Sequence, residues 1–333
     1  MVKICGKEVG AVGYGMHNLT RRGIALEVEE GISILKATFD AGYRFWNGGM
    51  HYGTPEYTSL HLLNAYSVSL DADCWPHCAY FTKYPEDADH VIASIKGAWD
   101  SMTFTPYCTP EGLMSSVETC LRILDGKKKL DIFEPARLDK NIPIEAVVEV
   151  LGAIAQKVNH ETVKRANVVY PIAAVEIELS LFSTQVLTNG IMKTCNELGI
   201  PVVVYAPFAR GWLTGVLTSR NQPKEGGYGL KLARFGAEVW EANQAVVDAL
   251  TKIAKRDRGI NELALTWVVK MGTLPIPGSR RKEGIKANME AAQLELTEND
   301  CEAIDEVLRD MKIHGERYGE VQMPLLHTQF KPL

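Results

Sequence analysis

Short apolar stretches alternate with segments of helical period along nearly the whole 333-residue chain, and no other feature narrows the fold as much. The short stretches occupy residues 9–15, 43–49, 79–84, 130–139, 172–180, 200–208 and 274–279, and they end in polar residues or glycine. Between them, residues 28–42, 115–126, 184–199, 242–258 and 261–272 repeat apolar side chains three and four apart, the spacing of one helix face. Gly42, Gly199 and Gly272 stand where such helices would end, at the position that favours a left-handed residue. Sustained strand–helix alternation calls for a parallel sheet covered by helices. Roughly 250 residues of it, with no duplicated half and no polar linker, predict a single α/β domain over residues 1–333, closed as a (β/α)8 TIM barrel. Residues from about 313 to 333 have no clear period and are expected to lie over the barrel.

The strand count is uneven. Residues 142–157 read as one helix, with apolar positions at 144, 147, 148, 151, 154 and 155, and residues 160–169 read as the next. Val158 and Asn159 between them leave no room for a barrel strand with its two loops. The fifth strand is therefore expected to be shortened, deleted or rebuilt around residues 152–160, for example by recruiting residues 151–154.

Charge and composition remove several function classes. Lys plus Arg is 36 against 41 for Asp plus Glu, a net charge of −5, so the basic excess that nucleic acid or an anionic membrane would need is missing. No stretch approaches the roughly 18 apolar residues of a membrane span. The start, MVKICGKEVG, has no secretory apolar region, and the seven cysteines are an odd, scattered set. Both features read as reduced thiols in a cytoplasmic protein. Cys74, His77 and Cys78 have the wrong spacing for a zinc site, and no metal is expected.

Chemistry in a barrel of this kind collects at the C-terminal ends of its strands. FWNGGMHYG (45–53) would end the second strand and brings Trp46, Asn47, His51 and Tyr52 into one loop; TKYP (82–85) would end the third with Lys83. An ammonium beside a phenol lowers the phenol's pKa from about 10 and makes it a better proton donor, as carbonyl reduction requires. A buried Tyr and a snorkelling Lys are the plain alternative. Later, residues 202–217 read as a strand and a glycine-containing turn able to cradle a pyrophosphate. Ser279, Arg280, Arg281 and Lys282 open a helix after the last strand, either as a phosphate site or as a solvated patch.

Together VGAVGYGM (9–16), ATFDAGYRFWNGGMHYGTPEY (37–57), LDGKKKLDIFEPARLD (124–139), HETVKRANVVYPIAAVEIELSLFS (160–183), VVVYAPFARGWLTG (202–215) and LPIPGSRRKEGIKANMEA (274–291) resemble the aldo-keto reductase superfamily. Within it, the resemblance is nearest to the fungal pyridoxal reductase-like branch, and it covers nearly the whole chain. It implies a barrel that binds NADPH without a Rossmann domain, and a catalytic set of Asp, Tyr, Lys and His. By motif Tyr52 matches the proton donor and Lys83 its pKa partner, while Asn47 stands in the Asp position and Ala136 in the His position. Glu176 and Ser180 match the nicotinamide side, with Glu176 where many members have Gln; Tyr205 matches the aromatic stacked on the ring. Pro207, Phe208, Arg210, Gly211, Leu213 and Thr214 match the pyrophosphate loop, Ser279 and Arg280 the 2′-phosphate grip, and Asn288 an adenine contact. Gly284 and Ala287 replace an Arg (or Gln) and a Glu common there. The small polar pair that ends the family's fifth strand is missing between Lys157 and Asn159.

Tyr14 and Trp46 would line an aromatic substrate pocket, or else pack as ordinary core; His17 and His51 would stand near its mouth. With Asn47 uncharged, strand alternation points Glu134 toward the mouth as counter-charge for Lys83 or Arg137, unless Pro135 disturbs the register. The implied activity is NADPH-dependent reduction of an aldehyde or ketone, pyridoxal-like or from fungal secondary metabolism. The partner would be a small carbonyl compound and the protein a monomer or weak homo-oligomer. The competing expectation is a non-catalytic NADPH- or ligand-binding paralogue with a damaged nicotinamide site.

Overall fold

The computed structural model describes residues 2–64, 79–151, 155–156, 168, 170–217, 232–254, 258–318 and 323. Cys74, His77 and Cys78, most of the segment 160–169, and the chain after 318 apart from 323 lie outside the described residues.

A hairpin of β1 (Lys3–Ile4) and β2 (Lys7–Glu8) precedes β3 (Tyr14–Gly15), β4 (Phe45–Gly49) and β5 (Ile92–Gly97). A second hairpin, β6 (Trp99–Asp100) with β7 (Thr105–Pro106), leads to β8 (Ile132–Pro135). Then come β9 (Ala155–Gln156), β10 (Val175–Glu178), β11 (Val202–Tyr205) and β12 (Leu274–Pro275). Strands β3-β4-β5-β8 form one parallel sheet and β9-β10-β11-β12 another, each in chain order from edge to edge. Edge strands β8 and β9 are neighbours, and β12 meets β3 through Gly13 N–H to Pro275 O (2.9 Å) and Gly15 N–H to Pro277 O (3.3 Å). The eight parallel strands thus run around a closed barrel, the fold expected from the alternation. At the closing seam a Cβ on Gly15 would lie 2.7 Å from Ile276 O, and one on Gly278 2.6 Å from Gly15 O, so only glycine lets the strands approach this far.

The helices follow the apolar periods. Val28–Asp40 and Pro110–Leu124 cover the first half, and Ala237–Ala254 and Ile260–Lys270 the second. Gly190, at φ 91°, divides the segment read as one helix over 184–199 into a short turn, Gln185–Leu187, and the helix Ile191–Leu198. None of the described helices is long and apolar enough to cross a membrane.

Two elements differ from the sequence reading. Residues 79–84 form no strand: Tyr80–Lys83 is a helical turn, and the third barrel strand is Ile92–Gly97. The helix expected over 142–157 is described over Ile144–Leu151, and Ala155 and Gln156 pair with Val175 and Glu176 as the fifth strand. Residues 152–154 and 157–160 on either side of it lie outside the described residues.

Period two in β4 sends Asn47 into the barrel and Trp46 outward. Trp46 is fully buried against the turn Tyr80–Lys83, with ring centroids 5.0 Å from Tyr80 and 6.0 Å from Phe81. It is therefore core between strand and helix and lines no substrate pocket. Trp46→Phe is expected to lower stability by about 1–2 kcal/mol through lost contacts, visible as a lower Tm, with KM for any substrate unchanged. A raised KM at unchanged Tm would return Trp46 to the pocket.

Candidate active site

The register of the first sheet assembles a polar cluster inside the barrel. Asn47 pairs with Ser94, and Lys96 with Glu134, on neighbouring strands β4, β5 and β8. Glu176 joins from β10. Asn47, Ser94, Lys96, Glu134 and Glu176 are all buried. The Lys96 ammonium lies 3.0 Å from Glu134 Oε1 and 2.7 Å from Glu176 Oε2, and it donates to Asn47 Oδ1. The Asn47 amide in turn donates to Glu134 Oε1 (2.7 Å) and Glu176 Oε2 (2.9 Å), while Ser94 Oγ donates to Glu134 Oε1 (3.3 Å). Asn fits this position because it accepts from the ammonium while donating to two carboxylates; an Asp would put a third acid in the cluster.

Tyr52 stands above the cluster. Its loop is fixed by Tyr52 N–H to Gly49 O (3.2 Å) and Ser59 N–H to Tyr52 O (3.2 Å), and Thr20 Oγ1 also donates to Tyr52 O. The ring packs so closely on Gly49 that a Cβ there would come within 3.1 Å of it. His17 and His51 flank the ring edge-on, both at 4.7 Å, and the Lys96 ammonium is 6.0 Å from its centroid.

The cation beside Tyr52 is therefore Lys96 and not Lys83. Lys83 is exposed at the end of an outer helical turn, its ammonium 5.6 Å from the Tyr84 ring. Glu134 does point inward, despite Pro135, and it forms an ion pair with Lys96. Tyr14 takes the second of its two expected roles, packing. It is buried edge-on to Tyr43 at 6.2 Å, and its hydroxyl donates to Ser279 O (2.6 Å). It braces the loop after β12.

Burial works against the Lys96 charge, but Glu134 and Glu176 outweigh it and raise the pKa, so the ammonium is permanent. Burial pushes the Tyr52 phenol up to about 12, opposed by Lys96 and reinforced by Glu176 and Glu134. The net shift is upward because burial outweighs the cation that was expected to lower it, and the two carboxylates add to the rise. Burial, followed by Lys96 and Arg137, depresses His51 to about 3, so its imidazole is neutral. Burial, followed by Arg21, lowers His17 to about 4, opposed by a hydrogen bond with Asn18.

A second group of residues surrounds the mouth. Tyr205 ends β11, and Tyr318 donates its hydroxyl to the Tyr205 oxygen (3.2 Å) while lying 4.4 Å from the Arg210 guanidinium. Arg210 also meets Glu178 at 3.3 Å. Ala206, Ala209, Arg210 and Gly211 all have positive φ, a strained run that turns backbone groups to one side. Leu213 is core, and its N–H is taken by Phe208 O (3.2 Å); Pro207 is buried, Phe208 is half-buried, and Thr214 Oγ1 caps Gly211 O (2.7 Å). Ser180 is buried in a turn with Ser183. Ser279, half-buried, bonds the backbone of Arg281, and Asn288 is buried in the helix Lys282–Ala291 that follows.

Six buried side-chain polar atoms have no hydrogen-bond partner among the described residues; two of these are Glu176 Oε1 in the cluster and Arg280 Nε beyond β12. With the strained loop between Ala206 and Gly211, these two fit an elongated ligand with a hydrogen-bonding head and an anionic tail. Lys96 and Tyr318 were not singled out from the sequence. The segment Ile92–Gly97, with Ile92 and Ile95 before Lys96 and Gly97 and midway between β4 and β8, was the available signal for Lys96.

A sequence-family description of aldo/keto reductases matches residues 11–309. This chain belongs to the aldo/keto reductase family. It is 34% identical to a probable pyridoxal reductase 2 of Schizosaccharomyces pombe, over 95% of this chain and 96% of that protein. It is 29% identical to a putative pyridoxal reductase of Saccharomyces cerevisiae, over 92% and 95% of the two chains. Among solved structures, a glycerol dehydrogenase from Gluconobacter oxydans superposes with a TM-score of 0.78 at 18% identity, over 94% of this chain and 96% of that one. Membership makes the chain an oxidoreductase of the carbonyl-reducing type.

Proposed function

We propose that this aldo/keto reductase reduces a small aldehyde or ketone with NADPH, and that its substrate is pyridoxal-like. The observation that carries the reading is Tyr52 held at the barrel mouth above a permanently charged Lys96. A proton donor must be protonated when it acts, and at about 12 the Tyr52 phenol is so throughout neutral pH. The neutral His17 and His51 beside it add no competing positive charge. The pyridoxal reductase relatives support the substrate class. Asn47 orients Lys96 and the two carboxyl groups.

The dinucleotide supplies the hydride when bound. On this reading Glu176, Ser180 and Tyr205 hold the nicotinamide end, Phe208, Arg210, Gly211 and Thr214 with the core residues Pro207 and Leu213 shape the pyrophosphate loop, and Ser279, Arg280 and Asn288 take the adenosine end. The lack, in the sequence, of the small polar pair expected between Lys157 and Asn159 favours a second reading, a paralogue that binds NADPH without turning over. Following NADPH fluorescence and then its consumption with pyridoxal separates the two. Binding with turnover supports the reductase, binding without turnover the paralogue, and failure to bind overturns both.

Arg280 gives a sharper check on the cofactor. An Arg–phosphate contact is worth about 1.5–3 kcal/mol. Arg280→Ala is expected to weaken NADPH roughly ten- to hundredfold and NADH hardly at all. Equal losses for both, measured by fluorescence titration, would remove Arg280 from the 2′-phosphate.

A further inference from the structure

Two tyrosines from the start of the chain hold the loop between β12 and the helix Lys282–Ala291. Tyr14 pairs across β3 and β4 with Trp46, so it leaves the barrel wall on the same side, toward the helices. From there its hydroxyl reaches Ser279 O (2.6 Å), and its ring meets Tyr43 edge-on. Tyr43, just ahead of β4, donates its own hydroxyl to Ile285 O (2.8 Å), near the start of that helix. Both tyrosines are buried. The loop is also fixed at its near end, where Gly15 N–H bonds Pro277 O (3.3 Å).

The loop's own bonds continue this bracket. Ser279 Oγ donates to Arg281 O (2.9 Å) and accepts from Arg281 N–H (3.1 Å), and Ile285 N–H bonds Arg281 O (3.1 Å). Gly284, whose Cβ would lie 2.4 Å from Ser279 Oγ, contributes no side chain there. Arg280 sits between the two tied residues, and its Nε is buried with no hydrogen-bond partner among the described residues. A guanidinium already fixed in place meets a phosphate with less ordering cost than a free one.

We infer that Tyr14, supported by Tyr43, is a positioning residue for cofactor choice: it sets the Ser279 backbone so that Arg280 meets the 2′-phosphate that distinguishes NADPH from NADH. The inference rests on the reading of Ser279 and Arg280 as the adenosine end of the dinucleotide site. Tyr14 acts through Ser279 O, which takes the single proton its hydroxyl can donate. Burial raises the Tyr14 pKa, so that proton stays in place throughout neutral pH. A tyrosine that only packed would behave differently, because lost packing lowers Tm and weakens both cofactors alike. Lost aim at Arg280 weakens only the cofactor that carries the 2′-phosphate.

Tyr14→Phe keeps the ring on Tyr43 and removes the bond to Ser279 O. Fluorescence titration should show NADPH weakened about three- to tenfold and NADH less than about twofold. In the Arg280→Ala background the same substitution should leave the NADPH-to-NADH ratio where Arg280→Ala alone puts it, because the two residues act as one unit. Amide hydrogen exchange of the cofactor-free protein reads the loop directly: Arg281 and Ile285 N–H should exchange faster in Tyr14→Phe than in the wild type. Tyr43→Phe, which slackens the bracket at Ile285 O, should move the ratio in the same direction and supplies the test if Tyr14→Phe does not fold. An unchanged ratio in Tyr14→Phe, an equal loss for both cofactors, additive effects with Arg280→Ala, or unchanged exchange at Arg281 and Ile285 overturns the inference. The two failures are distinguishable. A ratio unmoved by Arg280→Ala defeats the adenosine-end reading and the inference with it, whereas a ratio that falls in Arg280→Ala and holds in Tyr14→Phe defeats the inference alone.

Discussion

Lys96→Met is expected to abolish carbonyl reduction and to destabilise the folded chain, whereas Lys83→Met is expected to do neither. Methionine fills much of the same volume, so the loss is of charge and hydrogen bonds rather than of packing. Removing one partner of a buried ion pair costs about 3–5 kcal/mol, because the remaining charge is stranded. Here two carboxyl groups would be stranded, 3.0 and 2.7 Å from the missing ammonium. They can recover by taking up a proton, so the loss in Tm should be largest at alkaline pH and shrink toward acid pH. The rate should fall by more than the roughly 10²–10⁴-fold contribution of a general acid, since Tyr52 would face two acids without Lys96 to oppose them. Exposed Lys83 touches the Tyr84 ring and nothing in the cluster, so its replacement is the matched control. A Lys83→Met enzyme that loses turnover while Lys96→Met keeps it would reverse the assignment.

The error over the two lysines shows where the sequence stops being legible. The alternation of elements was readable because each barrel strand buries an apolar outer face under a helix, whatever its inner face does. The inner face near the mouth is polar. In β5, Ser94 and Lys96 interrupt what would otherwise be a run of apolar residues, so the strand was not singled out. Residues 79–84, by contrast, have the aromatic and β-branched composition of a strand, and a stretch so short does not distinguish period two from a helical turn. The same rule explains Trp46. Asn47 faces inward, so its neighbour must face out, and alternation could have assigned it to the core. Glu134 was readable because its position follows from alternation and from the charge that a buried lysine requires. Glu176 as the second acid was not, since its approach depends on the barrel closing β10 across from β5, which no local pattern encodes. Strand β9 lies between these cases: the tight spacing around it was visible, but its register opposite Val175 and Glu176 was not.

Tyr52→Phe is expected to lower carbonyl reduction by about 10²–10⁴-fold while leaving the fold and NADPH affinity near those of the wild type. Phenylalanine keeps the ring on Gly49 and between His17 and His51, so the packing that shapes the loop survives. What goes is the hydroxyl, and the neighbouring groups replace it poorly. Lys96 is held as an ammonium by two carboxyl groups, and a cation whose pKa is raised surrenders its proton reluctantly. His51, depressed to about 3, is neutral and cannot act as an acid at neutral pH. The direction of the reaction gives the finer test. Reduction needs the phenol and alcohol oxidation needs the phenolate, so wild-type oxidation should rise with pH toward about 12, where Tyr52 ionises. Tyr52→Phe should lose that rise as well as its reductive rate. A variant that keeps the alkaline rise in oxidation would place the proton on another group, because the phenylalanine ring has nothing to ionise.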